Sequence, residues 1–175
     1  GLFLKEPISG AEIGSKRVFA IEPNDLVVSN IFAWEGAVAV AGDEVAGTVG
    51  SHRFMTWTTT CHDVHVPFVA QFFASEAGLE LLRAASPGSA GRNRTLSIKN
   101  LQDIKIPLPP IDEQRRIAAH LDWVQSISRS MESHAGKFPM TVLPRASAAA
   151  IIAADLPMTT VGELASVAPE TVHPG

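Results

Sequence analysis

The sequence predicts an α+β (mixed α/β) fold, in which a twisted, mainly antiparallel sheet with short helices is followed by a long helical arm. Three observations support this prediction. Residues 1–60 are rich in short β-forming segments separated by turn residues. Residues 67–85 change to helical spacing, and a proline-rich run at residues 107–110 leads directly into a charged amphipathic stretch.

Short strands are predicted at residues 16–21, 25–29 and 36–40, and further strand structure over residues 45–57. The turn between the first two strands, at residues 22–25, contains Pro, Asn and Asp, which favour turns for separate physical reasons. We therefore expect at least four strands before residue 60.

Two short helices are predicted between residues 67 and 85, with a break and a second start at residues 75–78. Residues 87–93 are rich in Gly, Ser and Asn and should form a loop. The chain then returns to short turns and a strand at residues 104–106, so the sheet domain is expected to end near residue 108.

The helical arm begins at the proline run, because Pro110 fits the first turn of a helix, where its missing N–H is not needed. Asp112 and Glu113 place negative charge near the positive end of the helix dipole. Apolar residues then recur at helical spacing: Ile117, Leu121, Val124 and Met131, with Ile127 beside them. We expect this arm to be broken near residues 136–144, which include Gly136 and Pro139.

Composition restricts the class of protein. A chain of 175 residues with 46% hydrophobic residues can bury a core. It has no apolar run of the ~20 residues that cross a bilayer, which predicts a cytoplasmic protein with no membrane partner. The single cysteine, Cys61, cannot form an internal disulfide. A formal net charge of −4 argues against a protein that coats DNA nonspecifically, so any DNA-binding cations must lie together on one side.

Three strings carry a family resemblance: residues 106–122 (IPLPPIDEQRRIAAHLD), residues 19–37 (FAIEPNDLVVSNIFAWEGA) and residues 88–96 (GSAGRNRTL). They resemble the specificity (S) subunits of Type I restriction-modification systems, in which a proline pair, an acid and a Glu-Gln open a long helix after a target-recognition domain. The resemblance implies a non-catalytic protein without a cofactor, which takes its chemistry from partner subunits.

The resemblance also implies a division of the chain. Residues 1–108 would form a DNA target-recognition domain, and residues 109–156 a helical spacer and dimerisation arm. Residues 157–175 resemble the opening segment of another recognition domain. Residue 1 corresponds to a position after the usual opening strand, so the chain is either a fragment or a half-subunit whose C-terminal tail completes its own fold.

Double-stranded DNA is the ligand that the resemblance implies, and the protein would read one half of a split target. Phosphate contacts and base-edge hydrogen bonds require Arg, Lys, Asn and similar side chains. The expected DNA-contacting residues are those of these types in predicted loops or loop edges: Lys16, Arg17, Asn30, His52, Arg53, Arg92, Asn93 and Arg94. Solvated surface charges are the alternative explanation, and Phe32 and Trp34 are expected in the core rather than at DNA.

The arm is expected to dock the modification (methyltransferase) subunit, and the restriction subunit through it. The residues expected to contact a partner are Ile111, Gln114, Ile117, Leu121, Val124 and Met131. In the family, two spacer helices pair antiparallel, so a homodimer through this helix could reproduce that arrangement. The alternative is that the apolar stripe packs back on the chain's own sheet domain.

Two other functions stay open. An oligomerisation or scaffold module that does not bind DNA would fit the net acidity. A metal-dependent enzyme would need ligands such as His52, Cys61, His62 and His65, but these residues have neither a Cys pair nor another zinc-binding spacing. The sequence therefore gives no support for a metal site or a catalytic residue.

Overall fold

The computed structural model describes residues 2–7, 9–13, 17–88, 94–135, 156–167 and 170–171. The strands are β1 (Val18–Ile21), β2 (Leu26–Ser29), β3 (Val38–Val40), β4 (Thr48–Ser51), β5 (Phe54–Thr59), β6 (Lys105–Pro107), β7 (Met158–Thr160), β8 (Ala165–Val167) and β9 (Glu170–Thr171). The helices are α1 (Gly10–Ile13), α2 (Val66–Ala74), α3 (Glu76–Ala85), α4 (Ile98–Gln102), α5 (Ile111–Ala135) and α6 (Val161–Leu164).

The strands form three antiparallel sheets. Their orders are β4-β1-β9, β3-β2-β5-β8 and β6-β7. The turn before β2 is tight: Asn24 has a φ of 68°, and the Asp25 carboxylate accepts a hydrogen bond from the Glu22 N–H at 2.9 Å. Asp25 also accepts from the Thr58 hydroxyl on β5, which fixes the turn to the second sheet.

The two central strands of the four-stranded sheet are covered on both faces. All four residues of β2 are buried, and so are the consecutive residues Met55, Thr56 and Trp57 of β5. Side chains alternate between the faces of a strand, so consecutive buried residues mean that both faces pack against other structure. This explains why residues 26–28 form an unbroken apolar run.

Helices α2 and α3 pack beside this sheet and supply much of the core. The Ser75 hydroxyl caps α3 by accepting from the Gly78 N–H at 3.2 Å, and it donates to the Phe72 carbonyl at 2.6 Å. A Cβ at Gly78 would lie 2.1 Å from that carbonyl oxygen, so only glycine lets the two helices meet this closely. The largest buried side chains include Trp57, Phe68, Phe73, Leu82 and Ile106.

The last described residues complete all three sheets. Strand β7 pairs with β6, β8 pairs with β5, and β9 pairs with β1. A capping box at the start of α6 holds this segment in shape, with the Glu163 carboxylate accepting from the Thr160 N–H at 2.9 Å. Residues that follow the arm in sequence therefore belong to the same sheets as residues 18–107.

The structure confirms the mixed helical and antiparallel fold. Five strands precede residue 60, two helices meet at Ser75 as predicted, and a helix of 25 residues begins one residue after Pro110. The predicted break at residues 136–144 lies outside the described residues. The domain boundaries at residues 108 and 157 stay predictions, although β7, β8 and β9 pair with strands of the preceding domain.

Candidate nucleic-acid interface

Three of the expected DNA-contacting residues line one open groove of about 410 Å³. Arg17 precedes β1, Asn30 follows β2, and His52 lies in the turn between β4 and β5. The lining is completed by apolar side chains: Phe19, Met55, Leu96 and Ile98. The groove thus combines a guanidinium, an imidazole and an amide with an apolar surface.

Asn30 joins the segments that form this groove. Its backbone N–H donates to the Arg53 carbonyl at 2.9 Å, and its carbonyl accepts from the Leu96 N–H at 2.7 Å. Its side-chain Nδ2 donates to the His52 carbonyl at 3.3 Å. Asn30 therefore positions the β4–β5 turn and the segment before α4, in addition to lining the groove.

The β4–β5 turn presents its two side chains to solvent. His52 and Arg53 are both exposed and separate Ser51 from Phe54, so β4 and β5 are two strands rather than one continuous segment. The sequence placed these residues at a strand entrance, whereas the structure places them in an exposed turn that connects two different sheets. An exposed turn can approach a ligand that a strand interior cannot reach.

Arg94 lies on the other side of the loop that follows β2. Its guanidinium carbon is 5.6 Å from the centroid of the Trp34 ring, a cation–π arrangement. The Trp34 indole N–H donates to the Ile31 carbonyl at 3.0 Å. The Arg94 guanidinium therefore lies above the aromatic ring of Trp34 in this loop.

Phe32 is not a core residue, contrary to the sequence-based expectation. Its side chain is 49% exposed, while the adjacent Ala33 is wholly buried. The 3-10 turn Ala33–Glu35 directs Ala33 inward, and Gly36 closes the turn with a φ of 90°, which an L side chain rarely adopts. Lys16, Arg92 and Asn93 lie outside the described residues.

Helix α5 is attached to the sheet domain through a buried amide. Gln114 is 0% exposed. Its Oε1 accepts from the His65 N–H at 2.9 Å, and its Nε2 donates to the carbonyls of Asp63 and Pro109 at 2.8 and 2.7 Å. The expectation that Gln114 contacts a partner is corrected, because all of these bonds lie within the chain.

The rest of the predicted partner-contacting set is divided between two faces. Leu121 is buried at 3% exposure, whereas Ile111, Ile117 and Val124 are half-buried. Ile117 packs against the core. Met131 lies in α5, but its side chain is outside the described part. The helix face that carries the apolar stripe therefore packs partly on the chain's own domain. Its buried residues are Gln114, Ala118, Leu121 and Ser128.

A second apolar strip faces solvent on the same helix. Trp123 is 60% exposed and Ile127 is 39% exposed. The His120 ring lies 6.0 Å from the Trp123 ring, one turn earlier. Trp123 was absent from the predicted partner residues, although its spacing of three to four residues from positions 120 and 127 could have revealed it.

The contact between α5 and the domain also perturbs a titratable group. Partial burial and the nearby Arg115 lower the pKa of His65, while Asp122 opposes this effect. Asp122 also accepts a hydrogen bond from Gln71 of α2 at 2.6 Å, and Gln125 donates to the same Gln71 at 2.7 Å. Helices α2 and α5 are thus linked by a short polar network where they contact each other.

Neither a metal site nor a membrane span is found in the part of the chain that the structure describes. No three His, Cys, Asp or Glu side chains in it lie close enough together to hold a metal ion. Within the same residues, no helix is both long and apolar enough to cross a bilayer.

Comparisons with known proteins agree with the geometry. The family model of the Type I restriction modification DNA specificity domain matches residues 8–134, more than half of the chain. Among solved structures, the chain is similar to the HsdS subunit from Thermoanaerobacter tengcongensis, with a TM-score of 0.61 and 21% identity. The similarity covers 72% of this chain and 32% of that one, so this chain spans about a third of its length. No curated protein sequence matched the chain.

Proposed function

The chain belongs to the Type I restriction-modification DNA specificity domain family, and we propose that it reads one half of a split DNA target for a modification enzyme. In this role the chain selects the DNA sequence and supplies no catalytic group. Methyl transfer and cleavage belong to the modification and restriction subunits with which it assembles.

The groove between β1, β2 and the β4–β5 turn is the observation that supports the proposal. Arg17, Asn30 and His52 line it, and the exposed Arg53 adjoins His52 in the β4–β5 turn. These are the side chains that contact phosphates or donate to base edges in the major groove. In a chain with a formal net charge of −4, such a local gathering of cations is what a DNA surface requires.

Arg94 extends this basic surface beyond the groove, above Trp34. Lys16, Arg92 and Asn93 are proposed to contribute from adjacent segments, on the basis of their sequence positions alone. Asn30 has two roles in the proposal: it holds the β4–β5 turn in place through its hydrogen bonds, and it lines the groove. One sheet domain with one such surface suits recognition of one half-site.

We propose that α5 docks the modification subunit and, through it, the restriction subunit. The exposed Trp123 and Ile127 and the half-buried Val124 and Ile117 offer an apolar strip with a ring system, a composition common in protein interfaces. Met131 extends the strip by its position in the helix. The same strip could instead pair two copies of this chain, which would bring two half-site readers together.

The test is co-purification of the full chain with the modification subunit, followed by selection from a randomised duplex library at near-physiological salt. We expect one half of a split motif to be enriched. A matched pair of variants identifies the surface: Arg53→Ala combined with Arg94→Ala should weaken binding, whereas Arg129→Ala on the arm should not. A complex that forms but selects no sequence would support the scaffold alternative, and no complex would contradict the docking role.

A further inference from the structure

Phe32 is a large apolar side chain exposed to solvent, two residues after the groove-lining Asn30 and two residues before Trp34. It is 49% exposed, although burial of an aromatic ring is normally favourable. The backbone at Phe32 is held by hydrogen bonds, so missing local structure does not explain the exposure of the ring. The Phe32 N–H donates to the Ser29 carbonyl at 3.3 Å, and its carbonyl accepts from the N–H groups of Glu35 and Ala37 at 3.0 and 3.1 Å.

The neighbours of Phe32 carry cations on both sides. Two residues before it, Asn30 is bonded to the His52–Arg53 turn through both its backbone and its side chain. Two residues after it, Trp34 lies under the Arg94 guanidinium. The ring thus belongs to a five-residue segment with one end bonded to the backbone of the turn that carries Arg53 and the other end under the Arg94 guanidinium.

We infer that Phe32 contacts the base pairs of the DNA and determines part of the sequence that is selected. The inference rests on the proposed function. When the phosphates of a DNA duplex contact Arg53 and Arg94, a groove of that duplex lies over the protein segment between these two arginines. An apolar ring in a DNA groove contacts a thymine methyl group or the faces of a base step, and both contacts depend on sequence.

This role differs from that of the cations. Phosphate contacts by arginines supply affinity for any sequence and determine its dependence on salt. Phe32 carries no charge, so its removal should leave the salt dependence unchanged. Its contribution should appear in the ratio of specific to nonspecific affinity.

The experiment compares the full chain with Phe32→Ala and Phe32→Leu, each in complex with the modification subunit. The readouts are the selected motif, the ratio of specific to nonspecific affinity, and the slope of log affinity against log salt. For Phe32→Ala we expect at least one position of the motif to lose its preference and the affinity ratio to fall about fivefold or more, with an unchanged slope. Phe32→Leu, which stays apolar, should be intermediate.

Met158→Ala is the matched control, because Met158 is a large apolar residue that is 57% exposed in a different sheet. It should leave the motif and the ratio unchanged. A Phe32→Ala variant that folds and selects the full motif at the original ratio would overturn the inference while leaving the proposed function intact. No selected motif from the unsubstituted complex would overturn both.

Discussion

The side-chain Oε1 of Gln114 accepts a hydrogen bond of 2.9 Å from the backbone N–H of His65, which joins the start of the long helix to the start of α2. His65 is the N-cap residue of α2, whose first N–H groups have no partner within the helix. The Gln114 amide also satisfies two carbonyls, so one side chain closes the junction between helix and sheet domain.

Gln114→Ala should therefore destabilise the protein by about 1–3 kcal/mol, because it removes a buried hydrogen bond to the Pro109 carbonyl and two partly buried bonds to residues 63 and 65. Urea unfolding followed by circular dichroism measures this change. Arg129→Ala, on the exposed part of the same helix, should change the free energy of unfolding by less than about 0.5 kcal/mol. Equal effects of the two substitutions would contradict the role of Gln114.

Ser75→Ala should cost about 1–2 kcal/mol, because Ser75 is 1% exposed and its hydroxyl both caps α3 and bonds the end of α2. Ser97→Ala is the comparison, since Ser97 also caps a helix, α4, but is only half-buried. Its effect should be smaller. Thermal and urea unfolding of both variants would show whether burial determines the difference.

Stability should decrease as the pH falls through the range in which His65 titrates. The folded state lowers the pKa of His65 below its ordinary value of 6.5, so the unfolded chain binds the proton more readily. The contribution of His65 is therefore fully present above about pH 6.5 and is lost below it. His65→Gln should flatten this part of the pH profile of unfolding.

The control for that profile is Ser126→Ala, which alters an exposed residue of α5 and removes no titratable group. It should leave the pH dependence unchanged. The effect of His65 should be modest, since its side chain is only partly buried and solvent screens its interaction with Arg115.

Arg53→Ala should weaken binding to all DNA sequences and reduce the salt slope by about one, as expected for one lost phosphate contact. The reason is its exposed position in the β4–β5 turn, next to the groove-lining His52. Fluorescence anisotropy over a series of salt concentrations measures both quantities. If Arg53→Ala has the same salt slope of DNA affinity as Arg129→Ala, Arg53 does not belong to the proposed DNA-contacting surface.

Trp123→Ala combined with Ile127→Ser should impair association with the modification subunit, or self-association, without lowering the stability of the isolated chain. Both side chains are exposed, so their removal leaves no internal cavity. Analytical ultracentrifugation and co-purification are the measurements. Ser126→Ala, an exposed position between them, should behave like the unsubstituted protein.

Features determined by neighbouring residues could be predicted from the sequence. The turn at residues 22–25 is found where expected, with Asn24 in the left-handed conformation that asparagine tolerates. The break at Ser75 is likewise local, because its hydroxyl caps a helix that begins at the next residue. The start of α5 after Pro110 depends only on the geometry of proline.

Features determined by distant residues were missed. Gln114 reads as an exposed helical position, and only contact with residues 63–65, some fifty positions earlier, makes it a buried junction. Phe32 was missed for a different, local reason: most aromatic side chains are buried, but the adjacent 3-10 turn that directs Ala33 inward leaves Phe32 outside. The spacing of apolar residues reveals neither outcome.

The late position of β7, β8 and β9 in the sequence has a consequence for synthesis on the ribosome. Thr59, at the end of β5, donates to the Leu164 carbonyl, 105 residues later in the chain. At about 5–20 residues per second, the roughly 60 residues after β6 take several seconds to translate. During that time β1, β5 and β6 each lack one partner strand, and unpaired strand edges can join those of other nascent chains.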